Sequence, residues 1–251
     1  MTAITYYTSS IKNEFLKLKR TFTFWLTIIS AFFIPIIFFL VYLFKSESLV
    51  PKINENPWDK FLGTQIVSVV PFLVPMFIIL ITSLIIQVEH RSNGLKHLFT
   101  LPVPKWSIYF GKLTMVITAI FTSFTLFYIV MILAGYTVGT IHPELKLTEF
   151  SPKHTLFIKA LFRAFISVLG IVGLQFWLSF RIKNFIIPLG IGLVLLITGM
   201  VVYKGEEAIY FPYAYNMISM ISNKSDVSTI GWFPLVSIYS LGYFILFAIF
   251  Q

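Results

Sequence analysis

The chain contains no cysteine and few charged residues. Of its 251 residues, 57% are hydrophobic and 12% are charged, whereas a soluble domain carries about 25% charged residues. Without cysteine, neither a disulfide nor a thiolate metal site can form. The composition therefore predicts an integral membrane protein, built from apolar helices of roughly 20 residues each.

Sequence motifs of common catalytic sites are also absent. The chain has no phosphate-binding loop of the form G-x-x-x-x-G-K-[ST], no H-E-x-x-H and no G-x-S-x-G. No span carries the acidic relay that a proton-coupled carrier usually shows. The chain is therefore not expected to be an enzyme, or to bind a metal or cofactor itself. Its four histidines fall two on each side of the predicted membrane, which argues against a shared metal site: His90, His97, His142 and His154.

The apolar runs predict an all-α fold with six transmembrane helices in one domain, residues 24–251. The spans cover about residues 24–44, 66–88, 108–135, 156–180, 185–203 and 230–250. Residues 45–65 are predicted to be a polar loop. Residues 208–221 are apolar but too short to cross, which predicts a re-entrant segment whose tyrosines suit a wet, half-buried surface.

The second span contains Pro71 and Pro75, one turn apart. Because proline lacks an N–H, the pair frees backbone carbonyls at membrane depth that neighbouring helices or water must satisfy. The pair indicates either a simple packing irregularity or a flexible half-span beside a transport path. In the fourth span, small residues recur at every third position and predict close helix contact: Ala164, Ser167, Gly170 and Gly173.

Basic residues are placed asymmetrically across the predicted membrane. With the N-terminus in the cytoplasm, two acids, Glu14 and Glu89, face ten cations on that side: Lys12, Lys17, Lys19, Arg20, Arg91, Lys96, Lys105, Lys112, Arg181 and Lys183. The bias predicts a cell-membrane protein with both termini cytoplasmic. It also accounts for the net charge of +9 without nucleic-acid binding.

Residues 1–23 predict an amphipathic helix in the membrane interface, because Ile11, Phe15 and Leu18 share one face. The alternative is a basic anchor that only sets the topology. Lys159 and Arg163, one turn apart near the start of the fourth span, are candidates for contact with a lipid or substrate headgroup. Snorkelling of their side chains to the membrane surface is the competing explanation.

The longest cationic break between apolar runs is residues 88–112. Within it, a short helix is predicted over about residues 93–101, because Leu95, Leu98 and Phe99 share one helical face and Pro102 and Pro104 end the helix. The pattern predicts a small apolar knob, held on the membrane surface, that suits a groove on a soluble partner.

The run E-H-R-S-N-G-L-K-H-L-F-T-L-P-V-P-K-W-S-I-Y-F-G-K resembles the signature of ABC transporter permeases of the type-2 exporter class. In that family a Glu closes the second span, a Gly opens a short coupling helix, a Ser/Thr-x-Pro turn follows, and a Lys begins the third span. Leu95 departs from the Ser or Thr common in the family after the Gly. The resemblance implies an ATPase-coupling role for Glu89, Gly94, Leu95, Leu98, Phe99, Pro102, Lys105 and Lys112.

The family's E-x-x-K-x-x-R pattern before the first span stands here as Glu14, Lys17 and Arg20. The resemblance implies a permease subunit of an ATP-driven exporter, similar to the short permeases of peptide-antibiotic export and immunity systems. It implies a homodimer or a paired heterodimer of such permease subunits in the lipid bilayer, with two separate ATP-binding subunits beneath them that hold ATP and Mg. The alternatives are a stand-alone scaffold protein of the membrane and an intramembrane enzyme.

Overall fold

The structure is a computed structural model that describes residues 3–19, 21–51, 55–91, 104–221, 229–230 and 233–249. The helices in these ranges are α1 (Ala3–Leu18), α2 (Phe22–Phe44), α3 (Pro57–Val69), α4 (Leu73–Arg91), α5 (Lys105–Ile141), α6 (His154–Arg181), α7 (Ile186–Val202), α8 (Tyr215–Ile221) and α9 (Leu235–Ile249). Two short antiparallel strands, β1 (Thr229–Ile230) and β2 (Phe233–Pro234), precede α9. Short 3-10 turns occupy Ser46–Leu49, Pro143–Leu145, Glu206–Tyr210 and Pro212–Ala214. The predicted helical fold is confirmed.

The helices α2, α5 and α6 are each long and apolar enough to cross a bilayer. The bent pair α3–α4 adds a fourth candidate if it counts as one span. The helices α7 and α9 are apolar but shorter, with 17 and 15 residues. The chain is therefore a multi-pass membrane protein, and the count of six spans stays a prediction.

Side-chain contacts fix the direction in which each long helix runs. Helix α1 packs on the start of α5, so we call that end of the bundle the α1 face and the opposite end the far face. At the far face, His142 after α5 lies 3.1 Å from the carbonyl oxygen of Leu43 in α2, so α2 and α5 are parallel. The Tyr109 ring, in the first turns of α5, lies 5.6 Å from the Phe180 ring at the end of α6, so α6 ends at the α1 face. There His90 in α4 lies 3.1 Å from the carbonyl oxygen of Ser179 in α6. The helices α4 and α6 therefore run opposite to α2 and α5.

Helix α9 lies alongside α6, in the same direction, on the predicted stripe of small residues. Ser167 and Ser237 are joined through their hydroxyls at 3.1 Å. One turn further, the N–H of Gly170 donates to Oγ of Ser240 at 2.8 Å. A Cβ at Gly173 would stand 3.0 Å from a backbone atom of α9. The stripe makes the close helix contact that its spacing predicts, and the helix it contacts belongs to the same chain.

The second predicted span, residues 66–88, is broken near its start. Helices α3 and α4 meet at a bend of 47°, and residues 70–72 between them form a turn. Pro71 lies in this turn, and Pro75 lies in the first turn of α4, where the missing N–H of a proline is tolerated. The two prolines thus open the helix at the depth where their spacing predicts free carbonyls.

The prediction of a polar loop over residues 45–65 is wrong for its second half, because α3 begins at Pro57. Asn56 caps the helix, and its side-chain oxygen accepts a hydrogen bond from the Trp58 N–H at 3.0 Å. The indole of Trp58 is fully buried, and its Nε1–H donates to the carbonyl oxygen of Leu147 at 2.9 Å. This contact ties α3 to the loop that follows α5.

Residues 206–221, the far-face segment, fold back against α6 and α7 and reach the turn between α3 and α4, where Asn216 contacts the backbone of Val70 and Pro71. Tyr210 is 72% exposed, whereas Tyr213 is 1% exposed and Tyr215 is fully buried. The expectation that these tyrosines line a wet, half-buried surface is therefore wrong for Tyr213 and Tyr215, whose hydroxyls find partners inside the protein. The re-entrant character of the segment stays a prediction.

Candidate functional site

A buried ion pair joins α1 to α5 at the α1 face. The ammonium of Lys112 lies 2.8 Å from Oε1 of Glu14, and the Lys112 side chain is fully buried while Glu14 is 6% exposed. Lys17 reaches the same oxygen at 3.1 Å, with a side chain that is 41% exposed. The sequence pattern singled out all three residues, but it placed them in two separate groups. The structure brings the groups together.

Close packing reinforces the attachment of α1 to α5. The hydroxyls of Tyr7 and Thr114 lie 2.6 Å apart, and the Tyr7 ring stacks on Trp106 with centroids 6.3 Å apart. At Gly111 a Cβ would stand 2.6 Å from Oγ of Ser10, so only glycine fits there without a shift. Helix α1 is thus fixed to the first turns of α5, by contacts between residues about 100 positions apart that a local sequence pattern does not reveal.

The predicted coupling stretch lies mostly outside the described residues. Gly94, Leu95, Leu98, Phe99 and Pro102 all lie outside the described residues, and so does Arg20 of the predicted N-terminal pattern. What the structure shows is the two helices that the stretch connects, α4 ending at Arg91 and α5 beginning at Lys105.

Three predicted residues flank that stretch within the described ranges. The backbone of Glu89 belongs to the last turns of α4. Lys105 is the first residue of α5 and is exposed, whereas Lys112 is buried. The hydrogen bond of His90 to the Ser179 carbonyl oxygen also fixes the end of α4 to the end of α6. The end of α4 and the first turns of α5, which flank the predicted stretch, are therefore both anchored to the bundle.

A cluster of buried polar side chains connects α4, α6, α7 and the far-face segment. Its centre is Gln175 of α6, which is fully buried and whose amide nitrogen donates to Oγ of Ser83 at 3.2 Å and to the carbonyl oxygen of Pro188 at 2.9 Å. Its side-chain oxygen accepts from the Tyr213 hydroxyl at 3.1 Å. Ser83 in turn lies 3.3 Å from the hydroxyl of Ser179. Sequence reasoning missed this cluster, although one glutamine in a long apolar run was a signal.

An apolar cavity of about 190 Å³ lies beside the bend, between α2, α4, α5 and α6. Among the described residues that line it, the polar side chains are those of Ser30 and Ser123, whose hydroxyls are hydrogen-bonded to each other at 2.9 Å. Ile29 and Phe33, which line it, are about half exposed on the outer surface of α2. The cavity could admit a hydrocarbon group but offers nothing to hold an ion.

Two ion pairs lie on the surface of the far face. Lys153 contacts Asp59 at 2.6 Å, and His142 contacts Glu144 at 2.7 Å. The pKa of the Glu144 carboxyl is lowered from its ordinary value, first by a hydrogen bond from its own backbone and then by the His142 side chain. The Lys153–Asp59 pair ties α3 to the chain just before α6, whereas the His142–Glu144 pair lies within the turn that follows α5.

Lys159 and Arg163 stay together on the far-face half of α6, where Lys159 is exposed and Arg163 is half-buried. They lie at the end of the bundle opposite the Glu14–Lys112 pair. Contact with a headgroup remains a prediction for both. In the part of the chain that the structure describes, no three His, Cys, Asp or Glu side chains converge as a metal site would require.

The sequence of this helical bundle matches one known protein family. A family model described as ABC-2 family transporter protein matches residues 10–199, which is about three quarters of the chain and includes α1 through most of α7. Comparisons with curated proteins and with solved structures find no match.

Proposed function

The chain belongs to the ABC-2 transporter family, and we propose that it is the membrane-spanning permease subunit of an ATP-driven ABC exporter. In this proposal a separate ATP-binding subunit holds ATP and Mg and hydrolyses the ATP, while this chain forms the path for export. The observation that carries the proposal is the family match over residues 10–199. The resemblance of residues 88–112 to a coupling helix between two spans supports it.

The ATP-binding subunit would act on residues 92–103, between α4 and α5. A push on this stretch would reach α5 directly, and α5 is one continuous helix of 37 residues, about 55 Å long at 1.5 Å per residue. The Glu14–Lys112 pair would carry α1 along with α5. The push would also reach α4, whose buried Ser83 is hydrogen-bonded to Gln175 of α6.

Six crossings with both termini in the cytoplasm are part of the proposal. The directions of α2, α4, α5 and α6 support it, since helices that follow one another in the chain run in opposite directions. Helix α7, with 17 residues, measures about 26 Å, close to the roughly 30 Å of a hydrocarbon core. The α1 face, which holds the basic residues around Lys112, would then face the cytoplasm.

We propose that the working assembly contains two permease subunits and two ATP-binding subunits in the cell membrane. The chain itself would not be an enzyme. The alternative is a stand-alone scaffold protein. Such a protein would need no ATP-binding partner, and substitutions in residues 92–103 would not affect its function.

The experiment is co-purification of the tagged full chain with its ATP-binding subunit from detergent-solubilised membranes. Leu98→Asp should abolish the association at normal membrane levels of the chain, because an unpaired charge buried at an interface costs about 3–5 kcal/mol. Lys96→Ala is the matched control on the same stretch and should be nearly silent, since exposed charges contribute little. Pro102→Ala should fall between them, because it softens the turn without removing the apolar face.

Retention of the ATP-binding subunit by the Leu98→Asp variant at wild-type stoichiometry would remove the docking role from this stretch. Failure of the unsubstituted chain to retain any ATP-binding protein would favour the scaffold instead.

A further inference from the structure

The bend between α3 and α4 exposes backbone carbonyls inside the protein. In an unbroken helix the carbonyl of residue 71 would accept from the N–H of residue 75, but Pro75 has no N–H. The carbonyl of Val70 lies in the same irregular turn. Both oxygens need another donor, because an unsatisfied carbonyl at membrane depth is costly.

Asn216 supplies that donor to both carbonyls. Its amide nitrogen lies 2.9 Å from the carbonyl oxygen of Val70 and 2.9 Å from that of Pro71. A side-chain amide carries two N–H groups, so the number of donors matches the number of acceptors. The Asn216 side chain is fully buried.

The described contacts of the Asn216 side chain are made by its amide nitrogen. Among the residues that the structure describes, Oδ1 of Asn216 has no hydrogen-bond partner. A buried polar atom without a partner destabilises the fold, so a smaller apolar residue would fit the site better if the two donated bonds had no role.

Asn216 lies in the far-face segment, and a second set of hydrogen bonds attaches this segment to α6 and α4. Three residues earlier, the hydroxyl of Tyr213 donates to Gln175, and Gln175 donates to Ser83 of α4. The segment therefore contacts the second span directly at the bend and, through Gln175, a second time within α4. A displacement of the segment would have to break the bonds at the bend.

We propose that Asn216 is a positioning residue that holds the second span in its bent shape, so that the far-face segment and the second span change shape together. The role of this coupling in transport rests on the proposed function, because the second span would receive the push from the ATP-binding subunit. The second span is then bent while Asn216 donates to the two carbonyls, and it can straighten when the far-face segment moves away.

The test uses the full chain alone in lipid nanodiscs, with distance measurement by pulsed electron paramagnetic resonance. Because the chain has no cysteine, spin labels at Lys60→Cys in α3 and Val88→Cys in α4 report only the bend. Straightening a 47° bend between these positions lengthens their separation by about 3 Å at 1.5 Å rise per residue.

Asn216→Leu keeps the size of the side chain but removes both donors. We expect it to shift the label distance toward the longer value and to lower the thermal unfolding midpoint on the order of 5 °C. Ser219→Ala is the matched control in the same helix, because in the described part of the chain the Ser219 hydroxyl donates to the carbonyl oxygen of Asn216 and not to the bend. It should leave the label distance unchanged.

Pro75→Ala provides the decisive comparison, because it restores an N–H that can bond to the Pro71 carbonyl. In this background Asn216→Leu should lower the midpoint by less than half as much as in the wild-type background. An equal loss in both backgrounds, or an unchanged label distance in Asn216→Leu, overturns the proposal.

If Asn216→Leu does not accumulate, the double variant must accumulate, and failure of both also overturns the proposal. The measurement involves no ATP-binding subunit, so its outcome is independent of whether the proposed function holds.

Discussion

Removing the ammonium of Lys112 should loosen α1 from the rest of the bundle. In Lys112→Gln the fully buried side chain becomes one atom shorter and loses its charge, so the Glu14 carboxylate, 6% exposed, loses its cationic partner at 2.8 Å. Of the ion pairs described above, Lys17–Glu14 then remains, at 3.1 Å from the same oxygen, and Lys17 is 41% exposed. A buried charge is therefore left with a weaker and more solvated neighbour.

Breaking a buried ion pair costs about 3–5 kcal/mol. The remaining Lys17 compensates in part, so we expect a loss of about 2–4 kcal/mol in the free energy of unfolding. For a chain of this size, 1 kcal/mol corresponds to roughly 2–4 °C. The unfolding midpoint of Lys112→Gln should therefore fall by roughly 4–16 °C.

The assay is thermal unfolding of the purified full chain in detergent, followed by the fluorescence of its five tryptophans. Lys17→Gln is the matched control, because it removes the other cationic partner of the same carboxylate, and that partner is exposed. Such pairs contribute about 0–1 kcal/mol, so its midpoint should fall by less than about 3 °C.

A double-mutant cycle isolates the pair. Glu14→Gln combined with Lys112→Gln should cost less than the sum of the two single variants, because the double variant buries no unpaired charge. If Lys112→Gln is no more destabilising than Lys17→Gln, or if the two losses add, the buried pair does not fasten α1 to α5.

Three further predictions concern the rest of the fold. A topology reporter fused after Gln251 should be active in the cytoplasm, and activity on the other side would contradict six crossings. Gly199→Leu should destabilise the chain strongly, because a Cβ there would stand 2.6 Å from the backbone oxygen of Tyr213, whereas Gly190→Leu in the same helix meets nothing within 4 Å and should be tolerated; equal unfolding midpoints would refute this packing. Because the pKa of Glu144 is lowered in the folded state, its contribution to stability is present above the ordinary pKa of 4.5 and is lost as pH falls through the lower folded value. Glu144→Gln should reduce the acid sensitivity of unfolding measured between pH 6 and pH 3, and an unchanged pH profile would count against the assignment.

Helix positions were predictable from the sequence wherever one signal dominated. The run of about 20 apolar residues before Lys45 predicts α2, and the small residues around Gly170 predict a close helix contact. The start of α3 was missed because the polar residues around Asn56 suggested a loop. Asn56 followed by Pro57 is nevertheless a helix-start signal, and Asp59 in the first turn strengthens it.

Contacts between distant residues could not be predicted in the same way. The prolines at the bend predict free carbonyls, but nothing near Pro71 in the chain indicates that Asn216, 145 residues later, donates to them. Glu14 and Lys112 were both recognised, yet their pairing depends on how α1 packs on α5. The burial of Tyr213 likewise follows from the bundle around it, since a tyrosine suits a wet surface and a dry site with an acceptor equally well.

The most direct test of the central claim is photocrosslinking between this chain and the ATP-binding subunit. A single cysteine is placed at Leu98 and, as the control at the far face, at the exposed Lys146, and each is modified with a maleimide–benzophenone reagent in membranes that contain both subunits. We predict that position 98 crosslinks to the ATP-binding subunit and that position 146 does not. A crosslink from position 146 alone, or none from position 98 while the ATP-binding subunit co-purifies, would contradict the account.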